Sequence, residues 1–294
     1  MLHHAELWSP GTDMRVQCRL CAHRCDIGPG RSGVCGVRTN IDGTLYTSVY
    51  GNPIALHVDP IEKKPIYHFL PGSMTLSLAT IGCNFRCSFC QNWQISQRRS
   101  AADLSAGDRP VNEVTPDRLV EMAISERCPS ISYTYTEPTV FFEYAIDTSR
   151  IAHGHGLKNI FVTNGYMTRE AADFAAPYLD AANVDLKSFR DEFYRRHCKA
   201  RLAPVLDTIR NLVARSVWVE VTTLIIPGEN DSDEELTDIA RFLKGVSAEI
   251  PWHVTRFHPD YRLLGTEATP STTVERARQI GLAEGLVNVH TGNL

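Results

Sequence analysis

The sequence predicts an α/β protein: a partial (β/α)6 barrel of the TIM-like type with an irregular, cysteine-containing N-terminal segment. From Met74 onward, short apolar runs alternate with amphipathic helical patterns, as in repeated β/α units with a parallel sheet. Before that point the chain holds a cysteine cluster, a glycine-rich stretch and several prolines, without such alternation. We therefore expect two parts, an N-terminal cysteine-rich segment and loop over residues 1–72 and a core over residues 73–294.

The composition excludes several classes of partner. The chain has 294 residues, of which 43% are hydrophobic and 22% charged, with a net charge of −4. No block of like charges marks a surface for nucleic acid or an anionic membrane. The N-terminus lacks a basic region followed by an apolar stretch, and no apolar run approaches the roughly 18 residues that span a bilayer. We expect a cytoplasmic protein with no membrane and no nucleic-acid partner.

The N-terminal segment carries four cysteines with the spacing C-x2-C-x3-C-x9-C. In a reducing compartment, clustered cysteines usually bind metal or do chemistry rather than form disulfides. Two kinds of metal fit four thiolates: a closed structural zinc site, or an auxiliary iron–sulfur cluster that relays electrons. A third interpretation leaves them as free cysteines in a loop, and His23 is an alternative ligand in place of one thiolate. The four positions are Cys18, Cys21, Cys25 and Cys35.

Two further features precede the core. Residues 40–43, Asn-Ile-Asp-Gly, predict a hairpin turn that leads into a strand over Thr44–Tyr50. Residues 59–72 contain three prolines and predict an extended loop. The charged side chains of that loop are either solvated or contact a substrate or partner.

The core contains six predicted strands, each a short apolar run followed by a polar exit. Thr115-Pro116 and the capping box Ser232-Asp-Glu-Glu235 mark the starts of two of the helices between them. In parallel sheets and barrels the chemistry lies at the carboxyl ends of the strands, so the residues just after each strand are the candidates for a site. The strands are Thr75–Ile81, Ser130–Tyr135, Asn159–Thr163, Asn183–Leu186, Trp218–Ile226 and Trp252–Phe257.

A cysteine loop follows the first of these strands, with Cys83, Cys87 and Cys90 in the spacing C-x3-C-x2-C. Three thiolates on one short loop can hold three corners of a cubane cluster and leave the fourth iron open for chemistry. Structural zinc sites usually take four ligands as two pairs, so a zinc site fits this loop poorly. The spacing predicts a [4Fe–4S] cluster.

This loop resembles the signature of the radical S-adenosylmethionine (SAM) superfamily, including the aromatic Phe89 just before the last cysteine. The resemblance implies that the open iron chelates the amino and carboxylate groups of SAM. One electron from the cluster then cleaves a C–S bond of SAM, giving methionine and a 5′-deoxyadenosyl radical that takes a hydrogen atom from the substrate. In such a protein the cofactors carry the chemistry, while the chain positions them and excludes water.

The exits of the second and third strands suit contacts to SAM. Residues 135–138, Tyr-Thr-Glu-Pro, resemble the Gly-Gly-Glu-Pro element of glycyl-radical activating enzymes. That resemblance makes Glu137 the expected acceptor for the SAM ammonium, the alternative being a helix-capping turn. Thr163 and Asn164 end the third strand and are expected to meet the methionine or ribose, although Asn-Gly is also a common turn.

The fourth and sixth strands offer further polar exits. Asp185 and Lys187 lie on one face of a strand, where charged groups need partners. A ribose and a carboxylate would serve, as in the similar Asp-x-Lys of the activating enzymes, and a purely structural ion pair is the alternative. His258 resembles the histidine near the adenine in those enzymes. Cys198, after the fourth strand, either donates a hydrogen atom or contacts the substrate, or is simply buried.

Longer stretches resemble a particular branch of the superfamily, the radical SAM protein of the AmmeMemoRadiSam system, which is related to pyruvate formate-lyase activating enzymes. The resemblance covers nearly the whole chain. It implies Memo-like and AMMECR-like companion proteins and an electron donor such as flavodoxin or ferredoxin. The stretches are CRLCAHRCDIGPGRSGVCGVR (18–38), DPIEKKPIYHFLPGS (59–73), GCNFRCSFCQNWQIS (82–96), TLIIPGEND (223–231) and WHVTRFHPDYR (252–262).

Two function classes follow from these features. The first is a radical SAM enzyme that acts either on a polypeptide, by glycyl-radical activation, or on a small molecule. The second is a non-catalytic metal-binding scaffold for the Memo-like and AMMECR-like partners. The scaffold would hold zinc at both cysteine clusters and would have no affinity for SAM.

Overall fold

The structure is a computed structural model that describes residues 2–98 and 113–294. Its N-terminal segment, expected to be irregular, contains six short strands outside the core sheet: β1 (His3–His4), β2 (Trp8–Pro10), β3 (Val16–Cys18), β4 (Asp26–Ile27), β5 (Arg38–Ile41) and β6 (Thr44–Thr47). They form two antiparallel sheets in the orders β1–β6–β5 and β2–β3–β4. The predicted hairpin is confirmed, since Ile41 pairs with Thr44 across a turn in which Asp42 and Gly43 have φ of 50° and 84°.

The core is one eight-stranded sheet, ordered β14–β13–β12–β11–β10–β9–β8–β7, in which β8 to β14 run parallel and β7 is antiparallel to β8. The edge strands β7 and β14 do not pair with each other, so the barrel is partial, as predicted. All six predicted strands are present. The bounds are β7 (Ala55–Pro60), β8 (Met74–Ala79), β9 (Ser130–Tyr133), β10 (Lys158–Thr163), β11 (Ala181–Asp185), β12 (Trp218–Ile225), β13 (Trp252–Arg256) and β14 (Val289–Gly292).

The two edge strands were not predicted. Strand β7 lies within residues 1–72 and includes Asp59 and Pro60, which were expected to belong to an extended loop. Proline is tolerated there because β7 is an edge strand and Pro60 is its last residue. Strand β14 carries the sequence Val-His-Thr-Gly, which has no apolar run to reveal it.

Helices connect the parallel strands and cover the outside of the sheet. They are α1 (Trp93–Ser96), α2 (Pro116–Ser125), α3 (Phe142–Gly154), α4 (Arg169–Ala175), α5 (Asp191–Phe193), α6 (Ala203–Ala214), α7 (Asp233–Val246) and α8 (Ser271–Ala283). The predicted caps are present, because Thr115 Oγ1 accepts from Arg118 N and Ser232 Oγ from Glu235 N, both at 3.3 Å. The Glu235 carboxylate does not close the capping box. It accepts from Phe189 N at 2.8 Å instead.

The loop between β7 and β8 closes the amino-terminal end of the barrel. Buried Ile61 and Ile66 of this loop pack against residues of β10 and β11. The Glu220 carboxylate on β12 accepts from the backbone N–H groups of Tyr67 at 3.0 Å and His68 at 2.9 Å. With this end filled, the carboxyl ends of the strands are left for a site. No helix in the two described ranges has the length and apolar character needed to cross a bilayer.

Candidate functional site

The cysteine loop leaves β8 at the carboxyl end of the sheet. Gly82 has φ of 94°, and a Cβ there would lie 2.7 Å from Val37 Cγ1, so only glycine lets the loop meet the N-terminal segment so closely. Cys83 Sγ accepts from Phe85 N at 3.3 Å, and Cys90 Sγ lies 3.1 Å from a serine hydroxyl of α1. Cys87 is buried between them in the loop. All three thiols are thus held on one short segment.

A single turn of π-helix, Tyr194–Cys198, lies in the segment after β11 and supports this loop. The carbonyl of Cys198 accepts from Arg86 N at 2.9 Å, and that of His197 accepts from Ser88 N at 3.1 Å. The His197 ring is hydrogen-bonded on both sides, through Nδ1 to Ser88 Oγ at 2.8 Å and through Nε2 to the Glu229 carboxylate at 3.0 Å. Sequence reasoning missed His197 and Glu229, because nothing in a local pattern indicates a contact between segments this far apart.

Cys198 is fully buried, in keeping with the burial alternative. The neighbouring thiol of Cys198, together with burial, raises the pKa of Cys87 well above the usual value. Burial likewise raises the pKa of Cys83. Buried thiols of this kind keep their protons unless a positive centre such as a metal stabilises the thiolates.

Glu137 lies after β9 and is buried, with hydrogen-bond donors in the turn that follows it and at the end of β10. One oxygen, Oε1, accepts from Thr139 N at 3.0 Å and Thr163 Oγ1 at 2.7 Å, and the other, Oε2, accepts from Asn164 N at 2.8 Å. Burial raises the pKa of Glu137 despite these hydrogen bonds. Oε2 has one hydrogen bond within the described chain and can accept another.

Asn164 connects this carboxylate to the cysteine loop. Its Nδ2 donates to Asn84 Oδ1 at 2.7 Å and lies 3.8 Å from Cys83 Sγ. The buried Nδ2 of Asn84 has no hydrogen-bond partner in the described parts of the chain. An unpaired buried donor beside Cys83 is costly unless a further acceptor occupies the site.

Asp185 and Lys187 approach the loop from β11. Their side chains pair at 2.8 Å, so the structural ion pair exists, and Lys187 Nζ also lies 5.8 Å from the ring centroid of Phe89. Burial opposes the charge of Lys187, but the carboxylate of Asp185 and, when they are deprotonated, Cys87 and Cys198 outweigh it and raise the pKa of Lys187 well above its usual value. A cation is therefore maintained beside Cys87.

Tyr135 takes the place of a glycine in the resembled motif and has φ of 60°. This left-handed conformation costs a non-glycine residue about 1–2 kcal/mol. The side chain extends back into the barrel, where its hydroxyl donates to Asp59 Oδ2 and the ammonium of Lys64 lies 4.4 Å from the ring centroid. Tyr135 thereby links the site to the loop that closes the other end.

His258 follows β13 at the same edge of the sheet and is exposed to solvent. No hydrogen bond or ring contact in the described residues joins it to the other candidates. The structure therefore gathers all the predicted site residues of the core except His258, whose contact to adenine stays a prediction. Those gathered are Cys83, Cys87, Phe89, Cys90, Glu137, Thr163, Asn164, Asp185 and Lys187.

The four N-terminal cysteines also come together. They line one small cavity, into which the buried guanidinium of Arg38 also faces. Arg38 pairs with Glu143 at 2.6 Å, and its Nη1 lies 3.6 Å from Cys18 Sγ. His23, considered above as a substitute ligand, does not line the cavity, and its Nε2 is hydrogen-bonded to Asn84 O at 2.8 Å.

The three thiols of the Cys83–Cys90 loop suit a cluster better than a single zinc ion. A tetrahedral zinc ion draws its sulfurs to about 2.3 Å from one point. In the described part of the chain, no three His, Cys, Asp or Glu side chains are gathered closely enough for one metal ion. A cubane distributes its thiolates over four irons and makes no such demand. The three thiols, the unpaired Asn84 donor and the absence of a fourth close ligand on the loop fit a [4Fe–4S] cluster with one open iron.

Curated relatives are similar in sequence to this chain over most of its length. The Methanocaldococcus jannaschii protein MJ0808 is 46% identical over 96% of this chain and 82% of its own. A putative glycyl-radical enzyme activating enzyme of the same organism, MJ1632, is 24% identical over 70% of this chain and 76% of its own. The pyruvate formate-lyase 1-activating enzyme of Escherichia coli K12 is 22% identical over 68% of this chain and 85% of its own.

Solved structures and a family model agree with these relatives. A radical SAM methyltransferase from Sphaerobacter thermophilus has a TM-score of 0.56 at 19% identity and covers 76% of this chain and 67% of its own. Streptococcus suis SuiB bound to SAM has a TM-score of 0.57 at 14% identity and covers 74% of this chain and 52% of its own. The family model for the radical SAM superfamily matches residues 78–243, more than half of the chain. The protein is therefore an enzyme that belongs to the radical SAM superfamily.

Proposed function

We propose that this enzyme binds SAM at the carboxyl ends of its strands and cleaves it reductively to a 5′-deoxyadenosyl radical that abstracts hydrogen from a substrate. The observation that carries the proposal is the chain of contacts that runs from Glu137 through Asn164 to the Cys83–Cys90 loop. A zwitterionic ligand bound to a cluster needs an acceptor for its ammonium group close to the cluster. Glu137 is a buried carboxylate with acceptor capacity near the three thiols. When bound, the cluster supplies the electron and SAM the radical.

Each side chain has a role that its contacts support. Cys83, Cys87 and Cys90 would hold three irons of the [4Fe–4S] cluster. Glu137 Oε2 would accept a hydrogen bond from the ammonium of SAM, with its orientation fixed by the donors on Oε1. Lys187 keeps positive charge beside Cys87 and would attract the carboxylate of SAM.

The remaining candidates line the same edge. Asn164 would offer its amide to the methionine end, Asp185 its second oxygen to the ribose, and Phe89 its ring to the apolar wall. His258, free at the surface, would close on the adenine. Because the loop between β7 and β8 fills the amino end of the barrel, water is excluded from that end, which protects a reactive radical from side reactions.

The substrate class proposed here is a polypeptide, by analogy with the activating enzymes among the relatives, and a small molecule is the competing outcome. An electron donor of the flavodoxin or ferredoxin type would supply the reducing equivalent, and Memo-like and AMMECR-like proteins are the proposed companions in the cytoplasm. Transfer of deuterium from a labelled candidate substrate into 5′-deoxyadenosine identifies the hydrogen that is taken. Absence of label with every polypeptide tried, and its presence with a metabolite, would overturn the polypeptide branch.

The decisive experiment concerns the cysteine loop. Protein reconstituted anaerobically should release 5′-deoxyadenosine from SAM with dithionite, and Cys87→Ala should abolish this product and the SAM-dependent change in the EPR signal. Cys128→Ala, at a buried cysteine outside both sets, is the matched control and should retain the product. Full cleavage of SAM by Cys87→Ala would sink the proposal, and methylthioadenosine as the product would assign the reaction to a different C–S bond.

A further inference from the structure

We infer that Glu229 and His197 are positioning residues that fix the Ser88 hydroxyl and thereby clamp the cysteine loop around its iron–sulfur cluster. The clamp rests on the cluster proposed for the Cys83–Cys90 loop, but not on the cleavage of SAM. It also gives a role to the exit of β12, where none of the predicted site residues lies.

Ser88 lies between two of the cluster cysteines, and each of its polar groups is hydrogen-bonded. Its N–H donates to the carbonyl of His197 at 3.1 Å, and its carbonyl accepts from Arg262 N at 3.0 Å. Its hydroxyl lies 2.8 Å from Nδ1 of His197. The turn between Cys87 and Cys90 is therefore held by contacts to two other segments, one after β11 and one after β13.

The backbone of the π-helical turn forms one side of the clamp. The last carbonyls of a helical turn have no partner within it. Those of His197 and Cys198 accept from Ser88 N and Arg86 N, on either side of Cys87. Single π-helical turns are rare and frequently occur at functional sites. Here the turn provides acceptors that fix the backbone around a cluster cysteine.

The partner on the other side of the His197 ring decides which ring nitrogen carries the proton. His197 Nε2 lies 3.0 Å from Oε2 of Glu229, and an ionised carboxylate only accepts hydrogen bonds. In the neutral ring Nε2 is therefore the donor, which leaves Nδ1 with a lone pair. The Ser88 hydroxyl then donates to Nδ1, so a carboxylate on a distant segment fixes its orientation.

The His197 ring is largely shielded from water. It is 4% exposed, and the ring centroids of Phe193 and Phe89 lie 4.8 Å and 6.3 Å from its own. A buried imidazole needs partners for both of its nitrogens. Loss of either bond would leave a buried polar atom unpaired, which costs more than the loss of an exposed hydrogen bond.

Glu229 is held in place by the turn that follows β12. Asn230 is buried in this turn and donates to the carbonyls of Lys187 at 2.7 Å and Leu224 at 2.9 Å. Its Oδ1 accepts from Ile226 N at 2.6 Å. These bonds tie the turn to the segment after β11. A carboxylate on a fixed turn can orient a histidine, as the outer carboxylates of metal sites do.

The orientation of the hydroxyl has a consequence for the cluster. Hydrogen bonds to the sulfur atoms of a cluster are among the factors that set its reduction potential. With its proton directed at His197, the Ser88 hydroxyl offers no such bond. Loss of the Glu229 carboxylate releases this proton and loosens the loop, so the potential should rise and the cluster should be held less firmly.

The hydrogen-bond chain is tested first in the full-length protein purified without iron. NMR of the ring nitrogens of labelled histidines, with His197→Gln used to assign the signal, reports the position of the proton. Near neutral pH the proton of His197 should lie on Nε2 alone, and Glu229→Ala should lose this preference. A proton on Nδ1, or on both nitrogens, overturns the inference.

The effect on the cluster is tested with two variants and their combination. Glu229→Gln, whose amide can donate to Nε2, should raise the midpoint potential of the SAM-responsive EPR signal and speed its loss to an iron chelator about tenfold, the lower end of what outer partners contribute to metal affinity. If Glu229 acts through Ser88, the same change should have no further effect in a Ser88→Ala background. A full effect in that background, or none in the single variant, refutes the clamp.

Arg196→Ala is the matched control. It removes the other partner of Glu229, an exposed guanidinium at 3.0 Å, and leaves the bond to His197. Potential and chelator resistance should match the wild type, and changes as large as those of Glu229→Gln would assign the effect to the surface ion pair and overturn the inference. If the wild type gives no SAM-responsive signal, the proposed function fails, while the NMR result still decides the hydrogen-bond chain.

Discussion

Glu137 illustrates how single side chains build the site. A carboxylate buried to 2% exposure needs donors, and it finds them on Thr139, Thr163 and Asn164. Three donors stabilise the charged form, yet burial dominates and raises the pKa of Glu137. An ammonium from a ligand would reverse that balance, so the site gains stability when it is filled.

Replacement of this carboxylate gives a prediction at the residue scale. Glu137→Gln removes the charge but keeps the size, and it should weaken SAM binding about tenfold or more through loss of a charge-assisted hydrogen bond. The measurement is the SAM concentration that gives half of the SAM-dependent EPR change. Glu126→Gln, at an exposed carboxylate after α2, is the control and should bind like the wild type. Unchanged affinity in Glu137→Gln would remove Glu137 from the SAM contacts.

The turn after β10 shows how backbone geometry fixes an element of the site. Gly165 has φ of 69°, and a Cβ there would lie 2.8 Å from Val184 Cγ1 on the neighbouring strand. The turn directs Asn164 N toward Glu137 and the Asn164 amide toward the cysteine loop. Both the conformation and the space require glycine at this position.

Alanine variants of two glycines distinguish the cost of the backbone conformation from the cost of the steric overlap. Gly165→Ala should destabilise the protein by about 2–4 kcal/mol, since strain and steric overlap add. Gly228→Ala also has a positive φ, 74°, but nothing lies within 4 Å of its added Cβ, so strain alone should cost about 1–2 kcal/mol. Thermal unfolding of the two variants measures the difference. Equal losses of stability would show that packing against Val184 contributes nothing.

Elements were predictable from the sequence where the signal was local. The six core strands, the caps at Thr115 and Ser232 and the Asp42-Gly43 turn all have short-range patterns. Strand β14 and the π-helical turn at His197 and Cys198 do not, because their stability comes from contacts across the fold. The cysteine motif and the strand exits located most of the site, but its supporting network depends on hydrogen bonds between segments that no local pattern reveals.

At the scale of the whole molecule, buried ion pairs tie the outer segments to the barrel. Arg38 and Glu143 join the N-terminal segment to α3, and Lys64 and Asp59 pair at 2.7 Å beneath the site. Burial alone would raise the pKa of Asp59, but hydrogen bonds from Lys63, Lys64 and Tyr135 lower it far below the usual value. These pairs hold the N-terminal segment and the loop between β7 and β8 against the barrel that carries the site.

The lowered pKa of Asp59 has a consequence for stability against pH. Asp59→Asn leaves Lys64 buried without its counter-charge and should cost about 3 kcal/mol at pH 7. A carboxyl group whose pKa is lower in the folded state stabilises the protein at pH values above its unfolded pKa of about 3.9. This contribution is lost as the pH falls below that value. The difference between wild type and variant, measured by thermal unfolding, should therefore shrink below about pH 4. Asp207→Asn, in an exposed pair with Arg210, should show no such convergence, and a constant difference for Asp59→Asn would contradict the assignment.

Tyr135 has a consequence for the history of the sequence. Its strained backbone is tolerated beside a hydroxyl that reaches Asp59 and a ring that lies against Lys64. A homologue with glycine at this position has no backbone strain there, but it lacks both contacts. Asp59 and Lys64 then lose the hydrogen bond and the ring contact that Tyr135 provides. Substitutions at positions 59, 64 and 135 should therefore be correlated among descendants of a common ancestor, although 76 residues of chain separate the first from the last.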